Sequence, residues 1–89
     1  MKLKIISVKD KAGNEKTEFM DELRKNHPSM SGRWIYQHSV KVHGSFFLLW
    51  DDQTDKCLVT SAVEDFIFEN EKIVVETRNS VYEFEVVEK

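Results

Sequence analysis

Two short turns near the C-terminus constrain the fold more than any other feature, because each fixes a strand register and the two registers agree. With Asn70-Glu71 as a two-residue turn, Phe68 falls opposite Ile73 and Phe66 opposite Val75. With Arg78-Asn79 as the next turn, Val75 falls opposite Tyr82 and Ile73 opposite Phe84. Side chains alternate along a strand, so six apolar residues (Phe66, Phe68, Ile73, Val75, Tyr82 and Phe84) gather on one face of a three-stranded meander. The other face carries Glu76, Glu83 and Glu85 with Ile67, Val74 and Val81, and is expected to be wet.

Upstream, Ser45-Phe-Phe-Leu-Leu-Trp50 is apolar on both faces and calls for a strand covered twice, as in a sheet that curls on itself. Arg33 to Val42 alternates Trp34, Tyr36, His38, Val40 and Val42, and His43-Gly44 supplies a turn into that strand. Pairing Val42 with Ser45 sets His38 against Leu49 and puts Trp34 on a face that reads as core. The acidic stretch Asp51 to Lys56 reads as a loop leading into a strand at Cys57 to Thr60.

The N-terminal segment, with Leu3, Ile5 and Val8 among lysines, reads as a strand ending at the turn Asp10 to Asn14. One helix follows over residues 15–26, with Phe19, Met20 and Leu23 at helical spacing and Asn14 or Thr17 as N-cap. His27-Pro28 stops it, and Ser29 to Gly32 reads as loop. The expectation is a mainly β (α+β) single domain over 1–89: a strongly bent antiparallel sheet, or a small SH3- or OB-like barrel, of five to seven short strands.

Composition bears chiefly on compartment and partners. Forty per cent of the 89 residues are hydrophobic and 33% charged, enough apolar surface to fold. The single cysteine, Cys57, has no intramolecular disulfide partner and reads as a small buried hydrophobe in a reducing, cytoplasmic setting. No signal-peptide pattern opens the chain and no apolar run approaches the ~20 residues of a membrane span, so no membrane partner is expected. Residues 1–45 carry a formal +4 and residues 46–89 a formal −7; either the two halves form two charged ends, or they interleave and neutralise one another.

Chemistry finds little support. The three histidines show no H-x-H, H-E-x-x-H or Cys-Cys spacing for zinc, and Asp51, Asp52 and Asp55 lack the glycine and glutamate of an EF-hand loop. A hydrolase or metal enzyme would need His38, His43 and Cys57 to converge, yet no glycine-rich elbow supplies oxyanion donors. No phosphate-cradling loop and no cofactor motif is present.

The sequence therefore points to a non-enzymatic binding module, with a protein as the expected partner, in an accessory, regulatory or inhibitory role such as short bacterial and phage chains often fill. Glu76, Glu83 and Glu85 form a candidate acidic binding face, whose bland counterpart is a solubilising sheet surface. The alternative is a single-stranded nucleic-acid-binding barrel using Arg33, Trp34, Tyr36, Lys41 and His43, against which stand the net charge of −3 and the lack of a basic patch. An exposed edge strand would also permit a homodimer.

Overall fold

A computed structural model describes residues 1–34, 44–53 and 56–88. Its elements are β1 (Lys2–Lys9), α1 (Thr17–Asn26), β2 (Ser31–Trp34), β3 (Ser45–Trp50), β4 (Cys57–Glu69), β5 (Lys72–Thr77) and β6 (Val81–Glu88). Each strand pairs antiparallel with the next, and β6 returns to β1, closing a six-stranded barrel. The mainly β class, the strand count and the helix after the first strand are as the sequence implies.

The meander registers hold in full: Phe68 faces Ile73, Phe66 faces Val75, Val75 faces Tyr82 and Ile73 faces Phe84. Asn70 and Glu71 take φ of 51° and 62°, the left-handed pair that a tight hairpin turn requires. Ile73, Val75, Tyr82 and Phe84 are buried, joined inside the barrel by Leu3, Ile5, Val8, Phe46, Leu48 and Trp50. Phe46 lies at the centre of the ring contacts, 5.1 Å from Phe84 and 5.5 Å from Trp34 between centroids.

Of the four register shifts among the described residues, two bear most on the shape of the barrel. One between Ile5 and Ser7 shifts the phase of β1, which lets Leu3, Ile5 and Val8 all face inward although their spacing breaks strict alternation. Another between Val63 and Asp65 lets one strand of 13 residues, β4, pair β3 with its first half and β5 with its second. The strands expected separately at Cys57 to Thr60 and at the start of the meander are thus one long strand, not two short ones.

α1 begins later than expected, and neither expected cap is used: its N-cap is Lys16, without a side-chain hydrogen bond. Asn14 is engaged elsewhere, because the Asp10 carboxylate accepts its backbone N–H at 2.9 Å along with that of Ala12. Met20 and Leu23 enter the core, and Phe19 meets Tyr82 edge-on. His27 ends the helix, donating its N–H to the Leu23 carbonyl.

The largest correction concerns β2 and β3. Gly32 pairs Trp50, Arg33 pairs Leu49 and Trp34 pairs Leu48. Leu49 therefore faces Arg33, five positions before the expected His38, and Ser31 and Gly32 are strand rather than loop. An odd shift exchanges the faces. Trp34 does lie against the core, but on the side of Phe46, Leu48 and Trp50, while Phe47 and Leu49 turn outward and are half-buried instead of covered. The rest of the expected hairpin, Tyr36 to His43, lies outside the described residues.

Candidate binding face

Closure of the barrel gives every strand an outward side, and the outward sides differ around the circumference. Across β1, β2, β3 and β4 runs the row Lys2, Arg33, Leu49, Cys57, each the cross-strand neighbour of the next. Phe47 and Val59 form the adjoining outward pair. Val59 is 54% exposed and Cys57 is exposed, while Leu58 between them is buried. Cys57 is thus not the buried hydrophobe expected: the strand phase that sends Leu58 inward sends Cys57 out. These four side chains make an apolar strip on the outside of a closed barrel, bordered by the exposed Arg33. No ion pair forms on Arg33 among the described residues.

The face carrying the expected acidic residues is built differently. Lys11 Nζ donates to Glu76 at 2.8 Å, to Glu64 at 2.9 Å and to the Thr77 carbonyl at 2.8 Å. Lys72 lies 2.9 Å from Glu83. Glu85 stands in register between Lys72 on β5 and Lys4 on β1. Hydrogen bonding to Glu76 and then Glu64 raises the Lys11 pKa above its ordinary 10.5, and Glu83 does the same for Lys72. Each of the three glutamates therefore has a lysine beside it: Glu76 and Glu85 meet Lys11 and Lys4 of the N-terminal half, and Glu83 meets Lys72 of its own half.

Arg33 and Trp34 project to opposite sides, as neighbours on a strand must. The Trp34 ring stacks on Phe46 and lies 5.5 Å from Phe66, and its buried indole N–H finds no acceptor among the described residues. Tyr36, Lys41 and His43, the rest of the expected nucleic-acid set, lie outside the described residues. So do His38 and His43 of the enzyme reading, which leaves Cys57 on the outer strip with neither expected histidine described beside it.

One cluster escaped the sequence reading. The His27 ring stacks on Trp50 at 3.9 Å, nearly parallel, and its Nδ1 lies 2.9 Å from Asp52 Oδ1. Ser29 donates to Asp52 Oδ2 at 3.2 Å, while Asp51 accepts from Ser31 Oγ at 2.7 Å and pairs with Lys2. The His27 hydrogen bond holds the Asp52 carboxyl below its ordinary value of 3.8. Residues 27 and 52 are 25 positions apart, and no spacing in the sequence announces their contact. Ser29 is bonded to the carboxylate rather than to the imidazole, so the trio fastens the start of β2 to the loop after β3. Among the described residues, no group of three or more His, Cys, Asp or Glu side chains is placed to hold a metal ion.

The fold and this face define a class no finer than a closed six-stranded antiparallel barrel with one helix and an apolar outer strip. No protein-family model, curated protein or solved structure matches the chain. Among the described residues no helix is long and apolar enough to cross a membrane.

Proposed function

We propose that this chain is a non-enzymatic binding module that engages another protein through the outer strip of β3 and β4, in the cytoplasm, as an accessory, regulatory or inhibitory component. The observation that carries the reading is the pairing of Phe47 with Val59 and of Leu49 with Cys57 on the outside of the barrel. Barrel closure already supplies an inner face for burial, so apolar residues in two adjoining outward rows are in excess of what folding needs. Protein interfaces are built around such strips, with aromatic and aliphatic anchors inside a polar rim. The free thiol of Cys57 on that strip suits a reducing compartment.

Strand-edge dimerisation has less support, since β6 covers one edge of β1, and on the other Ile5 N–H and Val8 C=O are bonded to Met30 and Lys16.

The test is a capture experiment from native lysate with Val59→Asp beside Ile67→Asp, two exposed aliphatics on different faces. The expected result is a protein partner that survives nuclease and high salt, is lost with Val59→Asp and is kept with Ile67→Asp. A partner removed by nuclease or salt would instead favour single-stranded nucleic acid.

A further inference from the structure

We infer that the segment seated on the β3–β4 strip is acidic: a stretch of partner protein whose apolar side chains cover Phe47, Leu49 and Val59 while a carboxylate reaches Arg33. This rests on the binding-module reading and adds the partner's chemistry.

In the row Lys2, Arg33, Leu49, Cys57, the lysine is paired with Asp51 at 3.2 Å, whereas Arg33 is exposed and makes no ion pair among the described residues. Lys56, directly before Cys57, is also exposed and makes none. The outward positions Arg33, Ser45, Phe47, Leu49, Cys57 and Val59 include no carboxylate. On the opposite side Lys11 and Lys72 each hold glutamates at hydrogen-bonding distance. Among the described residues the apolar strip is thus edged by two cations that form no ion pair, Asp51 and Glu88 lining the depression beside Arg33 without bonding to it.

A partner that covers the strip strips water from the Arg33 edge, and a desolvated guanidinium without a partner is costly. A carboxylate meets that need, because its two oxygens match the planar guanidinium fork. A second copy of the chain does not. An isologous contact would lay this strip on itself, and its outward positions Arg33, Ser45, Phe47, Leu49, Cys57 and Val59 offer no carboxylate to the cations of the other copy. Nucleic acid draws its affinity from many phosphate contacts, and among the described residues two cations beside four apolar side chains are a poor match for that demand.

The experiment is selection of a displayed library of short random peptides on the intact protein. Enriched peptides are then titrated against wild type, Val59→Asp, Arg33→Glu and Ile67→Asp, with a single-stranded oligothymidylate in parallel. Circular dichroism melts check that each variant folds. The expected result is peptides that mix apolar residues with Asp or Glu, lose binding to Val59→Asp, keep it to Ile67→Asp, and weaken by about tenfold or more on Arg33→Glu. Replacing the peptide carboxylates by lysine should restore binding to Arg33→Glu.

Peptides lost with Val59→Asp but indifferent to Arg33→Glu would overturn the acidic partner and leave the binding face standing. Peptides indifferent to both substitutions, or binding of the oligothymidylate alone, would overturn both.

Discussion

The two outer sides of this barrel face the same solvent yet are built on different terms. On the β5–β6 side, Lys4, Glu85, Lys72 and Glu69 form one cross-strand row of alternating charge beside the outward pair Ile67 and Val74, and Lys11 reaches over to Glu76. On the β3–β4 side the corresponding rows hold Leu49 with Cys57 and Phe47 with Val59. The first arrangement keeps a small domain soluble, and its ion pairs, between exposed groups, add little to stability. The second exposes apolar area that folding does not require. The function of this chain is accordingly to be sought where the polar pattern lapses, not where charge is dense.

Inside, the contrast should vanish, and this gives the largest expected effect. Phe46 from the apolar side and Phe84 from the charged side are both fully buried and touch ring to ring. Phe46→Ala and Phe84→Ala are each expected to cost about 4 kcal/mol and to keep a single urea transition. Hydrogen exchange that showed β5 and β6 still protected while β2 to β4 opened in Phe46→Ala would break the picture of one core under two surfaces.

A smaller loss is expected from Gly32→Ala. A Cβ there would collide with the Leu49 carbonyl oxygen and lie 2.9 Å from Leu48 Cγ, so β2 would have to move off β3. The cost should be roughly 2 kcal/mol by thermal or urea melts. NMR shifts should change along the Arg33 row and leave the Lys72 row still, and shifts spread evenly over both sides would blur the distinction.

These residues also mark how far the sequence could be read. The meander was legible because two independent turns and a period of two imposed the same pairing on Phe66, Val75 and Tyr82. The β2–β3 pairing was not, because Trp34, Tyr36, His38, Val40 and Val42 alternate evenly and fit several registers. What selects among them is long-range: Trp34 belongs with Phe46 and Phe66 inside the barrel, which turns Phe47 and Leu49 outward. The apolar outer strip is not legible for that reason, since one odd shift decides whether Phe47 is core or surface. The acidic residues, by contrast, are easy to see and come with lysines, Lys11 and Lys4 from the other half of the chain and Lys72 from their own.

The charged side should reveal itself by titration. Lys11 and Lys72 have folded-state pKa values raised above the ordinary 10.5. Their contribution is complete below pH 10.5 and is lost as pH rises through the folded values. Lys11→Met and Lys72→Met should therefore flatten the alkaline fall in melting temperature. At the acid end the sign reverses: Asp10 and Asp52 are held below 3.8, so their contribution is present above that value and is lost as pH falls. Asp52→Asn should flatten that limb, and an unchanged profile would mean that the His27 contact adds nothing to stability.

The smallest expected effect is the one that bears most on function. Val59→Thr keeps the branched shape that strands favour and replaces exposed apolar surface with a hydroxyl. Since Val59 is 54% exposed, the stability change should lie within about 0.5 kcal/mol, and the alkaline limb should stay as in wild type. A loss well beyond that would make the strip a structural part of the barrel, and the two sides would then differ in packing rather than in purpose. A neutral melt together with weakened peptide binding would separate folding from recognition at one side chain, because only a partner would then register the methyl group that the barrel itself does not need.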